Sequence, residues 1–418
     1  MQRIELAYGR GTVPVLLPET GSHILTEREP VDCPHDETDL LRRALAAPVG
    51  SERLSRLVQP GQKLAIVVSD VTRPVPTARM LPALLDELAL AGTRDEDLRI
   101  IVGLGGHRAQ TPAEMAQIVG VDVLRRIHCE NLGCDFVDIG RTRRGTPVQV
   151  YHPVWEADWR IYTGNIEYPD FAGFTGGAKA LLPGVCGPQT LNANHAMLIE
   201  SGAVAGRIQG NPVREDIEEA EALLGRSFLY NVVLDGERRI VEAVAGDVTL
   251  AHRQACQKVD EMYRVPLSQP ADIVLASAGG WPKDVNLYQA NKTLQNAAHA
   301  VRDGGIVILL AECREGVGNA RLGEWLTCSA SPEELFARIR QQFVLGAHVA
   351  VMMQKALRRG VRIFLVSALD PAWVRQARLE PYPTAQDALD AARQALGPDR
   401  SLVVMPHGGS TLPVVDTA

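Results

Sequence analysis

Short runs of β-branched residues alternate with amphipathic stretches along most of this chain. The first two runs, Lys63–Asp70 and Leu98–Leu104, are apolar at nearly every position, as in strands buried on both faces of a parallel sheet. Between them, a stretch from about Ala78 to Ala91 spaces its apolar residues as a helix does. The pattern predicts a βαβ unit.

A glycine-rich turn follows the second of these strands. It reads Gly103-Leu-Gly-Gly-His107, and Thr111-Pro-Ala-Glu114 comes shortly after it. Threonine at the cap, proline at the first helical position and glutamate three residues after the cap predict a helix start. His107 is therefore expected at the carboxyl end of a strand, where open α/β sheets place their ligands.

The alternation continues to the end of the chain, and it predicts mainly parallel sheets in two α/β domains. Met1–Tyr8 alternates apolar and polar residues as an N-terminal strand does. Further predicted strands are Trp159–Thr163, Phe228–Leu234, Ile273–Ala276, Gly305–Leu310, Arg362–Val366 and Ser401–Met405. Further predicted helices are Gln189–Ser201, Pro212–Leu223, about Leu287–Val301, a capped helix after Ser331, and Ala385–Ala395.

The division into domains follows from length and from one polar segment. A chain of 418 residues suits two domains better than one core. The segment Tyr263–Asp272, with Val-Pro-Leu-Ser-Gln-Pro inside it, is a candidate linker. We therefore expect an N-terminal domain over residues 1–265 and a C-terminal domain over 266–418, with an active-site cleft between them. The last 20 or so residues are a tail that can fold back on the first domain.

Composition narrows the class of protein. A hydrophobic content of 46%, with 22% charged residues, is ordinary for a globular protein, and a net charge of -7 argues against a nucleic-acid partner. The sequence holds no signal-peptide pattern and no apolar run that could span a bilayer, so no membrane partner is expected. Seven cysteines without a Cys-x-x-Cys fit reduced thiols, and we expect a cytoplasmic protein.

Polar residues and glycines cluster in four segments where strands should end. Lys179 lies among glycines in Phe171–Gly184, and His195 follows in Asn192-Ala-Asn-His. Glycine backbone permits close approach of a bulky phosphorylated group, and imidazole is a metal ligand. The pair indicates a bound cofactor, although the glycines alone are also compatible with a simple turn and a solvated lysine. The other segments are Ser69–Pro76, Gly105–Thr111 and Ser277–Lys292.

Taken in order, these segments resemble the nickel-pincer-nucleotide lactate racemase family. The shared signatures are Asp-x-x-Arg-Pro, a Gly-His-Arg turn, the glycine-rich lysine loop with a later histidine, and Tyr-Gln-x-x-Lys. The resemblance implies nickel held by a pyridinium bisthiocarboxylic acid mononucleotide, which is linked through a thioamide to Lys179. It makes His195 a ligand of the metal, sixteen residues after that lysine as in the family. It also implies cofactor-synthesis enzymes as partners.

The resemblance implies inversion at the hydroxyl-bearing carbon of a small 2-hydroxy acid, by reversible hydride transfer through a planar keto acid. His107 is the expected base, because imidazole ordinarily exchanges protons near neutral pH. Arg73 and Lys292 are the expected anchors of the substrate carboxylate, with hydrogen bonds from Gln289 and Tyr288.

Some assignments around the cofactor stay open at this point. Asp70 and Thr72 can orient Arg73 or bind the nucleotide. Thr175, Gly176 and Gly177 can donate hydrogen bonds to its phosphate.

The chain departs from the family at one position. Lactate racemases carry a second acid/base histidine ten residues before the lysine, and here Pro169 occupies that place within Glu167-Tyr-Pro-Asp170. Tyr168, Asp170 or another residue must take over the second role, unless that role is lost. A rebuilt pocket favours a longer, more polar substrate, such as a sugar acid or a dicarboxylate.

Two other readings of the sequence belong to different classes. A protein that binds or stores the nucleotide without turnover would account for the absent histidine, but not for His107, Arg73, Gln289 and Lys292. A nicotinamide-dependent dehydrogenase would need Gly-x-Gly-x-x-Gly, which Gly103–His107 does not complete. The oligomeric state does not follow from the sequence.

Overall fold

The computed structural model describes residues 2–19, 21–25, 36–397 and 399–415. Its strands are β1 (Gln2–Tyr8), β2 (Gly11–Leu17), β3 (Ser22–Ile24), β4 (Leu64–Ser69), β5 (Leu98–Gly103), β6 (His128–Asn131), β7 (Phe136–Arg141), β8 (Pro147–Tyr151), β9 (Trp159–Asn165), β10 (Ser227–Leu234), β11 (Ile240–Gly246), β12 (Arg264–Leu267), β13 (Ala271–Ser277), β14 (Val301–Leu310), β15 (Arg362–Val366), β16 (Glu380–Tyr382), β17 (Leu402–Met405) and β18 (Leu412–Val415).

The α-helices separate most of these strands. They are α1 (Glu37–Ala46), α2 (Leu54–Leu57), α3 (Thr77–Leu90), α4 (Pro112–Val119), α5 (Val121–Arg126), α6 (His152–Glu156), α7 (Pro188–Ala196), α8 (Pro212–Ala222), α9 (Leu250–Tyr263), α10 (Leu287–Ala300), α11 (Ala320–Thr327), α12 (Pro332–Gln341), α13 (Ala347–Arg358), α14 (Pro371–Gln376) and α15 (Ala385–Leu396). In the described residues, no helix combines the length and the apolarity that crossing a bilayer requires.

The chain divides into two compact units, which we call the lysine unit (Pro30–Glu261) and the terminal unit (Met1–Glu29 with Met262–Ala418). The central sheet of the lysine unit has the strand order β11-β10-β9-β4-β5-β6, and only the β10–β11 pair is antiparallel. The sheet of the terminal unit has the order β16-β15-β14-β13-β17-β3 and is parallel throughout. The prediction of an α/β fold with mainly parallel sheets is confirmed.

The predicted βαβ unit forms β4, α3 and β5. The strands are buried on both sides, and Met80, Leu84 and Leu88 of α3 join the same apolar core. The predicted start of α4 is also observed. Thr111 Oγ1 accepts a hydrogen bond from the Glu114 N–H, and the Glu114 carboxylate accepts one from the Thr111 N–H.

The observed units differ from the predicted domains at the N-terminus. The sequence predicts one domain over residues 1–265. In the structure, the described part of residues 1–29 belongs instead to the terminal unit, with the second half of the chain. Two contacts explain the difference. β3 pairs in parallel with β17, and Leu6, Val15 and Leu17 of the β1–β2 hairpin pack in a core with apolar residues of β13 and β14.

The predicted linker and tail also behave differently from expectation. Residues 264–267 of the proposed linker form β12, which pairs in parallel with β18 of the tail. Pro266 is compatible with this strand, because β12 is paired on one side only and needs fewer N–H donors. The tail therefore folds within the terminal unit.

Candidate functional site

Three polar loops of the lysine unit meet at one edge of its sheet. β9, β4 and β5 are neighbours and parallel, so their carboxyl ends lie side by side. The Asp70 loop (residues 70–76) follows β4, the His107 turn (104–111) follows β5, and the lysine loop (166–187) follows β9. The strand order also reverses direction between β4 and β9, which makes this edge a topological switch point. Open α/β sheets bind their ligands there.

Asp70 holds His107 in a fixed orientation. The Asp70 carboxyl group is 4% exposed, and its Oδ2 lies 3.0 Å from His107 Nδ1. Its Oδ1 accepts hydrogen bonds from the Thr72 N–H at 2.9 Å and from the Thr72 hydroxyl at 2.5 Å. With the Nδ1 proton donated to Asp70, Nε2 is the ring nitrogen that can accept a proton.

The charge state of Asp70 suits that role. Burial by itself would raise the pKa of the carboxyl, but the hydrogen bonds from His107 and Thr72 outweigh burial and lower the pKa to about 2. Asp70 is therefore a carboxylate at neutral pH. The sequence left open whether Asp70 and Thr72 orient Arg73 or bind the nucleotide, but the contacts show a third role, in which Asp70, held by Thr72, orients His107. Arg73 follows in the same loop and is exposed.

Lys179 lies on a 3-10 turn, Gly177–Ala180, within the lysine loop. Its side chain is partly buried, and its pKa is lowered to about 7 by burial and by the charges of Arg214 and Arg73, against the opposing effect of Asp170. A large fraction of the amine is therefore neutral at neutral pH. The sequence alternative of an ordinary solvated lysine does not fit this environment.

Two glycines before Lys179 are required by close packing. Gly176 and Gly177 have φ values of +69° and +60°. A Cβ on Gly176 would lie 2.5 Å from Asn231 Oδ1, and a Cβ on Gly177 would lie 2.7 Å from His252 Cδ2. Any side chain at either position would clash, so the glycines set the path of the lysine loop.

The expected phosphate donors are partly engaged within the protein. The Gly177 N–H donates to Asn231 Oδ1 at 2.9 Å. The Thr175 hydroxyl donates to the carbonyl of Asn165 and accepts from the Glu167 N–H, each at 2.9 Å. These contacts close the loop on itself and do not support a phosphate-binding role for Thr175 or for the Gly177 N–H.

His195 lies on α7 and is 8% exposed. Its Nδ1 is 2.9 Å from Asn194 Oδ1, while Asn194 Nδ2 donates to Asp216 Oδ2 and to the Val213 carbonyl. Because the amide of Asn194 is oriented by these acceptors, its oxygen faces the histidine and takes the Nδ1 proton. Nε2 is then the nitrogen with a lone pair for a metal.

Among the described residues, no group of three or more His, Cys, Asp or Glu side chains could hold a metal ion. The imidazole of His195 could supply one nitrogen ligand, and Lys179 in its glycine loop could carry an organic group, so the residues present are compatible with a metal held by a lysine-linked cofactor. Nickel accepts nitrogen and sulfur donors of this kind.

The two candidates for the second proton acceptor have different surroundings. Tyr168 is 5% exposed, its hydroxyl donates to Asp260 Oδ1 at 2.5 Å, and its ring packs 5.2 Å from that of Phe174. Asp170 is less buried, and its charge acts on Lys179. The contacts therefore assign Tyr168 to a buried hydrogen bond, whereas the charge of Asp170 favours protonation of Lys179.

Tyr288, Gln289 and Lys292 lie on α10 of the terminal unit. Asn286 caps this helix by accepting the Gln289 N–H at 2.9 Å. Gln289 and Lys292 are three residues apart and share a face that is more exposed than the one with Leu287 and Ala290. The helix follows β13, and the order of the terminal sheet reverses between β13 and β17, so α10 begins at a second switch point.

Sequence reasoning missed four polar residues that shape the lysine loop: Arg214, Asn231, His252 and Asp260. They come from α8, β10 and α9 and belong to no local motif. One signal was available for Arg214, which stands between Val213 and Ile217 on the apolar face of a predicted helix. A charged residue in that position requires a specific buried partner.

The comparisons with known proteins place this chain among racemases, a class of isomerase. The lactate racemase N-terminal domain model matches residues 8–206, and the lactate racemase C-terminal domain model matches residues 267–413. This chain belongs to the lactate racemase family.

Individual relatives support this membership over nearly the whole chain. The lactate racemase of Thermoanaerobacterium thermosaccharolyticum is 30% identical and covers 99% of both chains, and that of Lactiplantibacillus plantarum is 30% identical over 89% of this chain and 90% of its own. The solved lactate racemase apoprotein of T. thermosaccharolyticum superposes with a TM-score of 0.87 at 31% identity, covering 99% of this chain and all of that one. A protein of Thermotoga maritima shares the fold, with a TM-score of 0.61 at 17% identity over 94% of this chain and all of its own.

Proposed function

We propose that this protein is a racemase or epimerase that inverts the C2 hydroxyl carbon of a 2-hydroxy acid, with a nickel-pincer nucleotide attached to Lys179 and nickel bound by His195. The observation that carries the proposal is the Asp70–His107 pair at 3.0 Å, at the sheet edge from which the lysine loop also departs. When bound, the cofactor supplies an acceptor that takes the C2 hydride and returns it.

The residues of the chain then have separate tasks. His107 Nε2 takes the hydroxyl proton of the substrate, while Asp70 holds the ring in one tautomer and stabilises its charged form. Arg73 binds the substrate carboxylate with its two-pronged donor. For Tyr288, Gln289 and Lys292 of α10, the roles that the family resemblance implies stay predictions.

We assign the proton acceptor on the second face to Asp170. The histidine of the family is replaced by Pro169, and the Tyr168 hydroxyl is engaged with Asp260. With proline in place of that histidine, the surroundings of the second face differ from those in lactate racemases. That change favours a substrate longer and more polar than lactate, such as a sugar acid or a dicarboxylate.

The test is a panel of 2-hydroxy acids. The protein is produced together with the cofactor-synthesis enzymes and nickel, intact mass establishes an adduct on Lys179, and chiral separation follows stereoinversion. The panel contains both enantiomers of lactate, malate and a sugar acid. We expect faster inversion of a polar substrate than of lactate, and lactate as the best substrate would contradict the assignment.

His107→Ala is the matched control for catalysis. It should keep the adduct and lose inversion of every acid in the panel by about a hundredfold or more. A loaded protein that inverts no acid, with or without His107, would instead indicate storage of the nucleotide.

A further inference from the structure

Arg214 is a buried arginine beneath the lysine loop. It lies on α8 and is 0% exposed. Its Nη2 donates to the carbonyl of Phe174, and its Nε donates to the carbonyl of Ala172 at 3.3 Å. One guanidinium thus holds two carbonyl groups of the segment that leads into the turn of Lys179. α8 also packs against that turn, Gly177–Ala180.

The positive charge of Arg214 is only partly compensated. Glu218 Oε1 lies 3.9 Å from Arg214 Nη1. The same carboxylate accepts two shorter hydrogen bonds from Arg253, at 2.8 Å and 2.6 Å. Within the described part of the chain, Arg214 Nη1 has no hydrogen-bond partner. Two guanidinium groups therefore share one carboxylate, and one positive charge is left over in buried surroundings.

Burial is the largest cause of the lowered pKa of Lys179, and Arg214 is the largest of the charges that add to it. Arg73 acts in the same direction, and Asp170 opposes them. Burial lowers the pKa of Arg214 itself to about 10, so the guanidinium is still charged at neutral pH. An amine beside such a charge is more stable without its proton.

We propose that Arg214 is a positioning residue for Lys179, which fixes the backbone of the lysine loop and keeps the amine in its uncharged form, ready to bond to the cofactor. The use of that amine rests on the proposed function. The relation between Arg214 and the amine is a property of the protein without cofactor and is tested there.

The test measures the pH dependence of Lys179 acylation in the cofactor-free protein. Trace acetic anhydride labels amines only in their neutral form, and peptide mass spectrometry reports Lys179, with exposed Lys283 as the internal standard. In the unmodified protein the midpoint should lie near pH 7. Arg214→Met should raise it by about one pH unit or more, whereas Arg214→Lys, which keeps the charge, should leave it within about half a unit.

Glu218→Gln is the opposing variant. It leaves the hydrogen bonds of Arg214 to the loop in place and removes the shared negative charge, so the midpoint should fall below that of the unmodified protein. If Arg214 only fixes the backbone of the loop and its charge has no effect on the amine, both Arg214 variants would raise the midpoint of Lys179 acylation. Glu218→Gln would then leave that midpoint unchanged. That result would overturn the inference.

The design remains decisive if one variant is unstable or if the proposed function is wrong. Should Arg214→Met fail to fold, Arg214→Lys and Glu218→Gln still give opposite outcomes for the two roles. If Lys179 never carries the nucleotide, intact mass of protein produced with the cofactor-synthesis enzymes will show no adduct, while the midpoints are unaffected.

Discussion

His107 Nδ1 and Asp70 Oδ2 lie 3.0 Å apart, although the two residues follow different strands of the sheet. Because β4 and β5 are adjacent and parallel, the loops after them emerge at the same edge. As a result, His107 Nδ1 donates its proton to a buried carboxylate, and Nε2 is the nitrogen that can accept a proton from a substrate. The same division of roles between ring nitrogens occurs in Ser-His-Asp hydrolases.

Asp70→Asn should reduce inversion by about a hundredfold or more in the cofactor-loaded enzyme. An amide cannot stabilise the charged imidazole as a carboxylate does, and it can present an N–H to the ring and reverse the tautomer. The measurement is kcat by chiral separation, corrected for loading by intact mass.

Glu130→Gln is the control for the Asp70 substitution. Glu130 also lies beside a histidine, with His128 Nε2 at 3.2 Å, but this pair is on the edge strand β6 and belongs to none of the three loops of the site. Activity should be unchanged. Equal losses in the two variants would show that the Asp70 effect is not specific to the site.

Asp70 should also contribute to stability in a pH-dependent way. Its folded pKa of about 2 is below the ordinary value of 3.8, so the carboxylate stabilises the fold at pH values above 3.8, and this contribution is lost as the pH falls through about 2. The expected contribution is about 2 kcal/mol. Urea unfolding at pH 3 and pH 6 measures the free energy of unfolding. This free energy should change less between the two pH values in Asp70→Asn than in the unmodified protein, and an equal change in both proteins would contradict the assignment.

Lys179→Met should stabilise the cofactor-free protein while abolishing the adduct. The folded pKa of about 7 is below the ordinary value of 10.5, so the folded state disfavours a proton that the unfolded chain keeps. The cost of the lysine is largest at and below pH 7 and disappears as the pH rises toward 10.5.

We expect a gain in the free energy of unfolding of roughly 2 kcal/mol at pH 7, after allowance for partial exposure, and little difference near pH 10. Lys283→Met, at an exposed position, is the control. A destabilised Lys179→Met protein at pH 7 would show that the amine is charged and paired.

Tyr168→Phe and Asp170→Asn separate the two candidates for the second proton acceptor. Asp170→Asn should lower kcat by about a hundredfold. Tyr168→Phe should lower kcat only a few-fold and reduce the free energy of unfolding by about 1–3 kcal/mol, because it removes a buried donor to Asp260. The reverse pattern would give the catalytic role to Tyr168.

The sequence predicts those parts of the fold that depend only on neighbouring residues, such as helix starts and buried strands. The capping box at Thr111 and the apolar runs of β4 and β5 were located within one or two residues, because each is a property of a short segment. The pairing of β3 with β17 was not predicted, since strands at opposite ends of a chain carry no local mark of their partner. The sequence predicts a linker at β12 because Pro266 is unusual in a strand and is tolerated here only because β12 pairs on one side.

The candidate site shows the same limit. Lys179 and His107 stand in glycine-rich motifs of the sequence, and their roles, like that of His195 on α7, stay predictions. Arg214 and Asp260 act on the lysine loop from helices, where a single polar residue resembles many others. Their roles depend on which segments pack together, and the sequence gives no direct sign of that packing.

The division of the chain into units has a consequence for its biosynthesis. Residues 30–261 are continuous, so the lysine unit can fold as soon as it leaves the ribosome. Strand β3 is translated before the lysine unit but pairs with β17, which is translated after it. β3 must therefore stay unpaired until β17 has been made, and a chain truncated before β17 would hold a folded lysine unit and a β3 segment without its partner strand.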